Sequence, residues 1–309
     1  MKKPSFLLSL TTNDNDYQQE QAEAAKKSAR QVSADIEIIH ADNDAINQSQ
    51  QLLKVIQSST VPRPDAIILE PVGGTALPHV ARAAVAAGIG WVVLNRETEY
   101  MNELRASSKL PIFEIGSDHV EIGRIQGRQF AALLPAGGSV LYIQGPSDSS
   151  AAKQRTQGVS ETKPENIQLS MLRAQWTETS AYRTVVSWLR LSTSQRAQIN
   201  LIAAQDDSMA IGARKAFQDQ ALGADQQRFL SLPYTGCDGV PKTGQAWVRS
   251  GLLAATVVVP PNAGLAIEML VKAFQTGSQP VTQTLTKPTS FPAIESLTPA
   301  GAKSSKQVF

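Results

Sequence analysis

Short apolar runs alternate with longer amphipathic stretches along this chain of 309 residues. In the first third the apolar runs lie at residues 6–10, 36–39, 66–69 and 91–94, and the amphipathic stretches at 17–32, 46–57 and 77–87. Short, continuous apolar runs are typical of strands that helices cover on both faces. Strands that alternate with helices in this way predict parallel sheets made of right-handed βαβ units.

The same alternation begins again after a predicted strand at 111–115 and a predicted helix at 120–134. Further strands are predicted at 139–143, 168–173, 200–204, 229–232 and 254–259, with helices at 151–162, 179–189, 208–221, 241–249 and 262–275. Each set is too small for one large sheet. The pattern therefore predicts an α/β protein with two similar lobes, which agrees with a usual domain size of about 100–200 residues.

Composition narrows the possible functions. The formal net charge is only +2, and the basic residues are scattered, so we expect no binding to nucleic acid. No run approaches the ~20 apolar residues of a membrane span, so we expect no direct membrane insertion. The single cysteine, Cys237, rules out an intrachain disulfide, and the three histidines are too far apart to indicate a metal site. We expect neither a metal nor a cofactor.

Polar and aromatic residues follow the predicted strands, where open α/β sheets bind their ligands. The candidate contacts are Thr11, Asn15, Tyr17, Asn95, Arg96, Lys153, Arg155, Trp176, Asp206 and Asp238. Amides, carboxylates and guanidinium groups satisfy adjacent hydroxyl groups, which both donate and accept hydrogen bonds. Flat aromatic rings stack on the C–H faces of a sugar. The pattern therefore predicts binding of a sugar or polyol.

Other interpretations of these residues stay open. Asn and Asp at strand ends are common helix N-caps, and Asp207 could have only that role. Tyr17 and Trp176 could serve core or hinge packing. Signatures of enzymes are weak, since the chain has neither a P-loop nor a full dinucleotide-binding fingerprint and no Ser-His-Asp order near strand ends. We therefore predict that the protein is not an enzyme.

Several segments resemble the type I periplasmic binding proteins of the ribose/galactose kind, which share their core with the ligand domains of lactose-repressor-like regulators. The most specific is Gln-Asp-Asp-Ser-Met-Ala-Ile-Gly-Ala at 205–213. The others lie at 10–17, at Asn95-Arg96, at 115–118 followed by Gly123 and Gly127, at 236–239 and at 253–257. The resemblance spans the chain to about residue 290.

The resemblance implies two Rossmann-like lobes, residues 1–116 with 260–290 and residues 117–259 with 291–309, joined by a three-crossover hinge. Such lobes close on a ligand held in the cleft between them. The candidate contacts up to Arg96 would come from the first lobe, and Lys153 or Arg155 with Trp176, Asp206 and Asp238 from the second lobe and its hinge. Departures from the ribose-type pattern at Gln18, Asn95, Asp206 and Val259 favour a hexose, polyol or amino sugar over simple ribose.

The resemblance implies one of two roles. The first is the substrate-binding component of an ABC sugar importer, with a permease as partner. The second is a cytoplasmic ligand sensor that acts on a transcriptional or two-component regulator. We expect a periplasmic location if a signal peptide was removed before this numbering, and a cytoplasmic one if Met1 is the natural start.

Overall fold

The computed structural model describes residues 3–72, 77–191, 198–220 and 223–299. Along these ranges the elements run in chain order as β1 (Ser5–Leu10), α1 (Asp16–Gln31), β2 (Asp35–His40), α2 (Ala45–Ile56), β3 (Ala66–Leu69), α3 (Pro78–Ala86), β4 (Gly90–Leu94), α4 (Met101–Ser107), β5 (Ile112–Ser117), α5 (His119–Leu133), β6 (Gly138–Gln144), α6 (Ser150–Thr162), β7 (Ile167–Arg173), α7 (Glu178–Leu189), β8 (Leu201–Ala204), α8 (Asp207–Gln220), α9 (Gly223–Ser231), β9 (Tyr234–Thr235), α10 (Gly244–Arg249), β10 (Thr256–Val258), α11 (Ala263–Thr276), β11 (Gln283–Thr286), β12 (Thr289–Phe291) and a short 3-10 helix (Ile294–Ser296).

The chain divides into two compact units and passes between them three times. Unit 1 holds the described residues up to Ser117 together with Pro260–Thr286, and unit 2 holds Asp118–Val259 together with the described residues from Lys287 onward. The sequence placed the last boundary after residue 290, whereas in the structure unit 2 resumes at Lys287. The reason is that β12 pairs with β10, so this strand belongs to unit 2.

The sheet of unit 1 has the strand order β11-β5-β4-β3-β1-β2, and every pair in it is parallel. Successive residues of β1 point to opposite faces, as the pleat of a strand requires. Leu8 and Leu10 pack with α1 and α11, whereas Leu7 packs with α2 and α3. Both faces are covered, which explains the continuous apolar runs.

The sheet of unit 2 has the order β7-β6-β8-β9, again with parallel pairs, and β10 and β12 form a separate antiparallel pair. On one face Leu141 and Ile143 pack against α7 and α8. On the other face Val140 and Tyr142 pack against α5 and α6. The predicted α/β class with two lobes of parallel sheets is confirmed.

One strand prediction was wrong. Residues 229–232, predicted as a strand, include the end of helix α9, and the strand β9 follows at Tyr234–Thr235. A short apolar run does not distinguish a strand from a buried helical turn. The helix places Phe229 in an aromatic group, stacked on Phe217 at 4.3 Å and edge-on to Trp188 at 6.1 Å between ring centroids. Within the described ranges, no helix has the length and apolar character to cross a lipid bilayer.

Candidate functional sites

In unit 1, polar side chains gather where the neighbouring strands β1, β3 and β4 end. Buried residues follow these strands at Glu70 and Asn95, and α1 and the start of α11 add more. We call this group the unit 1 cluster: Tyr17, Gln18, Glu70, Asn95, Arg96 and Asn262. Its members come from distant parts of the chain that the parallel sheet brings to one edge.

Glu70 is the centre of the unit 1 cluster. Its Oε2 accepts hydrogen bonds from Gln18 Nε2 at 3.0 Å and from Asn95 Nδ2 at 3.1 Å. Its Oε1 lies 3.7 Å from Nη1 of Arg96. Only 6% of the Glu70 side chain is exposed, so these donors replace the water that the carboxylate loses on burial. One ion pair and two amides therefore satisfy the same carboxylate.

Asn95 links this carboxylate to the rest of the unit 1 cluster. Asn262 Nδ2 donates to its Oδ1 at 2.6 Å, and its own Nδ2 lies 3.5 Å from the hydroxyl of Tyr17. That hydroxyl donates to the carbonyl of Pro260 at 3.2 Å. Arg96 Nη1 donates to the carbonyl of Asn95 at 2.8 Å. The three candidate contacts Tyr17, Asn95 and Arg96 are thus brought together.

The two other unit 1 candidates have local structural roles. The side chain of Asn15 accepts a hydrogen bond from the backbone N–H of Gln18 at 3.1 Å and is the N-cap of α1. The backbone N–H of Thr11 donates to Gln18 Oε1 at 3.1 Å, and the residue is half-buried. Both contact Gln18, so they support the unit 1 cluster from its edge.

In unit 2 a second group lies beyond the carboxyl ends of β6 to β9. We call it the unit 2 cluster: Arg155, Trp176, Gln205, Asp206, Asp207 and Asp238. Arg155 is buried at its centre, although it belongs to α6. Its Nη1 donates to the carbonyl of Gln205, its Nη2 lies 3.5 Å from Asp238 Oδ1, and its guanidinium lies 5.5 Å from the ring centroid of Trp176. Burial alone would lower the pKa of Arg155, but Cys237, Asp238 and Asp206 raise it overall, so the charge stays.

Lys153 lies on the same helix as Arg155 and two residues earlier. With 3.6 residues per turn, a separation of two places the side chains on nearly opposite faces of a helix. Lys153 is accordingly exposed, whereas Arg155 is buried. Of the two alternatives that the sequence left open, Arg155 is the one that joins the unit 2 cluster.

The carboxylates of the unit 2 cluster differ in their partners. Asp206 Oδ1 accepts from the backbone N–H of Met209 at 2.6 Å, so Asp206 caps α8. Asp207 has a different role, since its carboxyl group accepts from the Thr256 hydroxyl at 2.6 Å and from the Gly239 N–H at 2.7 Å. Burial, followed by the charge of Asp238, raises the pKa of Asp207 well above its ordinary value.

Three candidate contacts have left-handed backbones. The φ angles are 55° at Asn95, 60° at Trp176 and 99° at Asp238. Non-glycine residues rarely adopt such angles, which cost about 1–3 kcal/mol each and persist where the surroundings hold them. Backbone strain at residues that follow strands is typical of functional sites.

Sequence reasoning missed Glu70 and Asn262. Glu70 directly follows the apolar run of β3, just as Asn95 follows that of β4, so the same rule would have found it. Asn262 lies just after the second passage between the units and carries no local signal beyond its position before a helix. Only the tertiary structure shows that it contacts Asn95.

In the part of the chain that the structure describes, no group of three or more His, Cys, Asp or Glu side chains could hold a metal ion.

A family model described as the periplasmic binding protein domain matches residues 6–278. The chain belongs to this family.

Known proteins that are similar in sequence or structure are consistent with this family assignment. The ribose import binding protein of Escherichia coli (strain K12) is 25% identical over 262 residues, which are 85% of this chain and 81% of that protein. A solute-binding protein from Actinobacillus succinogenes 130z, solved with bound D-allose, has a TM-score of 0.76 at 22% identity and covers 95% of this chain and 98% of its own. One from Bacillus halodurans C-125, with bound myo-inositol, has a TM-score of 0.75 at 20% identity, with 93% and 94% covered. The two structures establish the periplasmic binding protein fold.

Proposed function

We propose that this periplasmic binding protein domain binds a sugar or related polyhydroxylated small molecule without turning it over, as the substrate-binding component of an ABC sugar importer. One observation carries the proposal. Each unit presents a buried cluster of amide, carboxylate and guanidinium groups beyond the carboxyl ends of its parallel strands. The relatives support a polyhydroxylated ligand, since their names or bound molecules give ribose, D-allose and myo-inositol.

The chemistry of both clusters suits neighbouring hydroxyl groups. Each hydroxyl donates one hydrogen bond and accepts up to two, so a ligand with adjacent hydroxyls matches side chains that offer a donor and an acceptor close together. Asn95 offers both in its amide, and Arg155 beside Asp238 offers both as a pair. The half-buried ring of Trp176 suits the apolar face of a sugar.

We propose that one ligand molecule contacts residues of both units. The contacts are Tyr17, Asn95 and Arg96 from unit 1, and Arg155, Trp176, Asp206 and Asp238 from unit 2, with Thr11 and Asn15 as supports. Hinge closure around the ligand stays a prediction of the family resemblance. The proposal requires a stoichiometry of one ligand per chain and a loss of binding when either unit is altered.

A thermal-shift screen tests the proposal. Wild type is titrated with D-ribose, D-allose, xylitol and myo-inositol, and we expect at least one to raise the unfolding temperature in a concentration-dependent way. A ligand at about 100 times its Kd adds about 2.7 kcal/mol of stability. Arg96→Ala and Asp238→Ala should each remove most of the shift, whereas Arg82→Ala, which alters an exposed ion pair of unit 1, should keep it.

Two results would contradict the proposal. If Arg96→Ala and Asp238→Ala both respond as wild type does, the assigned residues do not bind the ligand. If the bound sugar is recovered chemically altered, the protein is an enzyme. The importer role has its own test, because adjacent permease and ATPase genes favour transport, whereas an adjacent kinase or regulator gene favours ligand sensing, which stays a prediction.

A further inference from the structure

Asp207 has a buried carboxyl group and is not among the proposed ligand contacts. It is the first residue of α8, and it faces the loop at residues 236–239 that follows β9. We propose that Asp207 is a positioning residue that fixes this loop and so holds Asp238 in place for the ligand. The inference rests on the proposed function for the role of Asp238 and stands by itself for the conformation of the loop.

Three hydrogen bonds tie Asp207 to its surroundings. Its backbone N–H donates to the carbonyl of Cys237 at 2.7 Å. Its Oδ2 accepts from the N–H of Gly239 at 2.7 Å, and its Oδ1 accepts from the hydroxyl of Thr256 at 2.6 Å. The first two bonds hold the residues on either side of Asp238, so that residue is clamped between them. The third fixes the carboxyl group to β10.

The packing leaves room for this carboxyl group and for little else. A Cβ atom at Gly236 would lie 2.1 Å from Asp207 Oδ1, and one at Gly244 would lie 2.0 Å from Oδ2. Both distances are far inside van der Waals contact. Two glycines therefore approach the carboxyl group from the β9 loop and from the start of α10. An arrangement in which the side chain is enclosed this closely indicates a role in placing the backbone.

The clamped backbone is strained. Asp238 has a φ of 99°, which non-glycine residues rarely adopt, whereas Gly239, with a φ of 57°, adopts the left-handed region without strain. A left-handed aspartate is unfavourable by about 1–3 kcal/mol and needs external bonds to persist. The N–H of Asp238 donates to Val257 at 2.9 Å, and its carbonyl accepts from Val259 at 3.0 Å, which fixes the far side of the loop. Asp207 supplies the bonds on the near side, so its loss should let Asp238 relax away from Arg155.

The surroundings of Asp207 favour its protonated form. Burial first, then the negative charges of Asp238 and Asp206, raise its pKa well above the ordinary value of an aspartate. An asparagine has the shape of the neutral acid. Its oxygen can accept from Gly239, and its N–H can donate to the oxygen of Thr256. Asp207→Asn should therefore preserve the loop, whereas Asp207→Ala should release it.

Amide hydrogen exchange tests the loop directly, without any ligand. The Gly239 amide should exchange at least about tenfold faster in Asp207→Ala than in wild type, and close to the wild-type rate in Asp207→Asn. Amides of β6 should keep their protection in both variants. Asp225→Ala, which alters an exposed carboxylate of α9, is the control. Should Asp207→Ala not fold, Thr256→Val removes the hydroxyl partner isosterically and is measured in its place.

Ligand affinity then links the loop to function. The probe is whichever of D-ribose, D-allose, xylitol and myo-inositol binds wild type most tightly, measured by calorimetry well below the unfolding temperature. We expect Asp207→Ala to lose about tenfold or more in affinity, equal to about 1.4 kcal/mol, and Asp207→Asn to recover it. A merely structural role would lower stability and leave the affinity of the folded protein unchanged.

The outcomes separate this inference from the proposed function. Unchanged Gly239 exchange in Asp207→Ala overturns the positioning role whatever the ligand does. Faster exchange with unchanged affinity shows that the loop is fixed by Asp207 but does not place a ligand contact, which also overturns the inference. If wild type binds none of the four probes, the proposed function fails on that result, and the exchange arm alone decides whether Asp207 fixes the loop.

Discussion

In the unit 1 cluster one carboxylate, Glu70, is satisfied by a guanidinium and two amides, whereas in the unit 2 cluster the guanidinium of Arg155 forms an ion pair with Asp238 and is also stabilised by the negative charge of Asp206. The first group has balanced charges and more than one kind of donor. The second depends on Arg155 for its positive charge, and burial there raises the pKa of Asp207 well above its ordinary value. Both units have parallel sheets, but the charged groups beyond the carboxyl ends of the strands are arranged differently in each.

Because of this difference, the two units depend on their cations to different degrees. A carboxylate with two amide donors keeps partners when one cation is removed. Asp238 forms its ion pair with the central cation of unit 2, and in a medium of low dielectric a buried carboxylate that loses such a cation is destabilising. We therefore expect substitutions of like kind to have unlike effects in the two units.

Removal of the central cation of unit 2, Arg155, should destabilise the protein most. Arg155→Ala should lower the free energy of unfolding by about 3–5 kcal/mol, because it leaves Asp238 buried without its ion-pair partner. Arg96→Ala in unit 1 should lower it by about 2 kcal/mol, since Glu70 keeps hydrogen bonds to Gln18 and Asn95. Urea unfolding of each variant, monitored by circular dichroism, measures both values.

Lys153→Ala is the matched control for Arg155→Ala, because it removes a cation from the exposed face of the same helix. It should leave both stability and ligand affinity close to wild type. Equal losses in Arg155→Ala and Arg96→Ala would mean that the asymmetry between the clusters has no energetic consequence. A loss in Lys153→Ala as large as that in Arg155→Ala would assign the site to the other face of α6.

The next effect concerns pH. The folded state raises the pKa of Asp207, chiefly through burial and then through Asp238, so between the ordinary and the raised value it binds a proton that the unfolded chain does not. The contribution of Asp207 to the free energy of unfolding is therefore fully present below the ordinary carboxyl pKa. It is lost as the pH rises through the raised pKa, by up to about 1.4 kcal/mol per pH unit. Asp207→Asn has no such group, so its stability should fall less steeply over the same range.

The difference between wild type and Asp207→Asn isolates this titration. Glu114 in unit 1 is a second buried acid with a raised pKa, mainly from burial, and its contribution to the pH slope is the same in both proteins. The unfolding free energy is measured by urea titration from pH 4 to pH 8. Parallel pH profiles for the two proteins would show that Asp207 titrates as an ordinary aspartate despite its proximity to Asp206, Asp238, Cys237 and Arg155.

Much of the fold could be predicted from the sequence because burial leaves a direct mark on it. Strands β1, β3, β4, β6 and β8 are covered on both faces, so each appears as an apolar run. Strands β11 and β12 contain only exposed and half-buried residues and leave no such run, so they were not predicted. The aromatic residue Phe229 was placed in a strand because its helix buries few other positions.

The candidate sites could be predicted in part for a related reason. The end of a strand marks the position of a polar residue but not the direction of its side chain. Arg155 and Lys153 have the same side-chain charge and nearly the same position, and only the phase of α6 separates them. Likewise, adjacent Asp206 and Asp207 have unlike roles, because one caps α8 and the other contacts Thr256. Contacts between distant segments decide such cases.

Asn15 gives the smallest expected effect and the sharpest choice between two roles. Its side chain caps α1 by accepting from Gln18, and loss of such a cap lowers stability by about 1 kcal/mol. Asn15→Ala should show that loss, and Asn15→Ser, which can still cap, should recover most of it. We expect both variants to bind the best of the four sugar probes within about threefold of wild type, as calorimetry measures it, since the cap uses the side-chain oxygen. A tenfold loss of affinity in Asn15→Ser with normal stability would instead make Asn15 a ligand contact, as the family resemblance implies, and would shift the unit 1 cluster toward the end of β1.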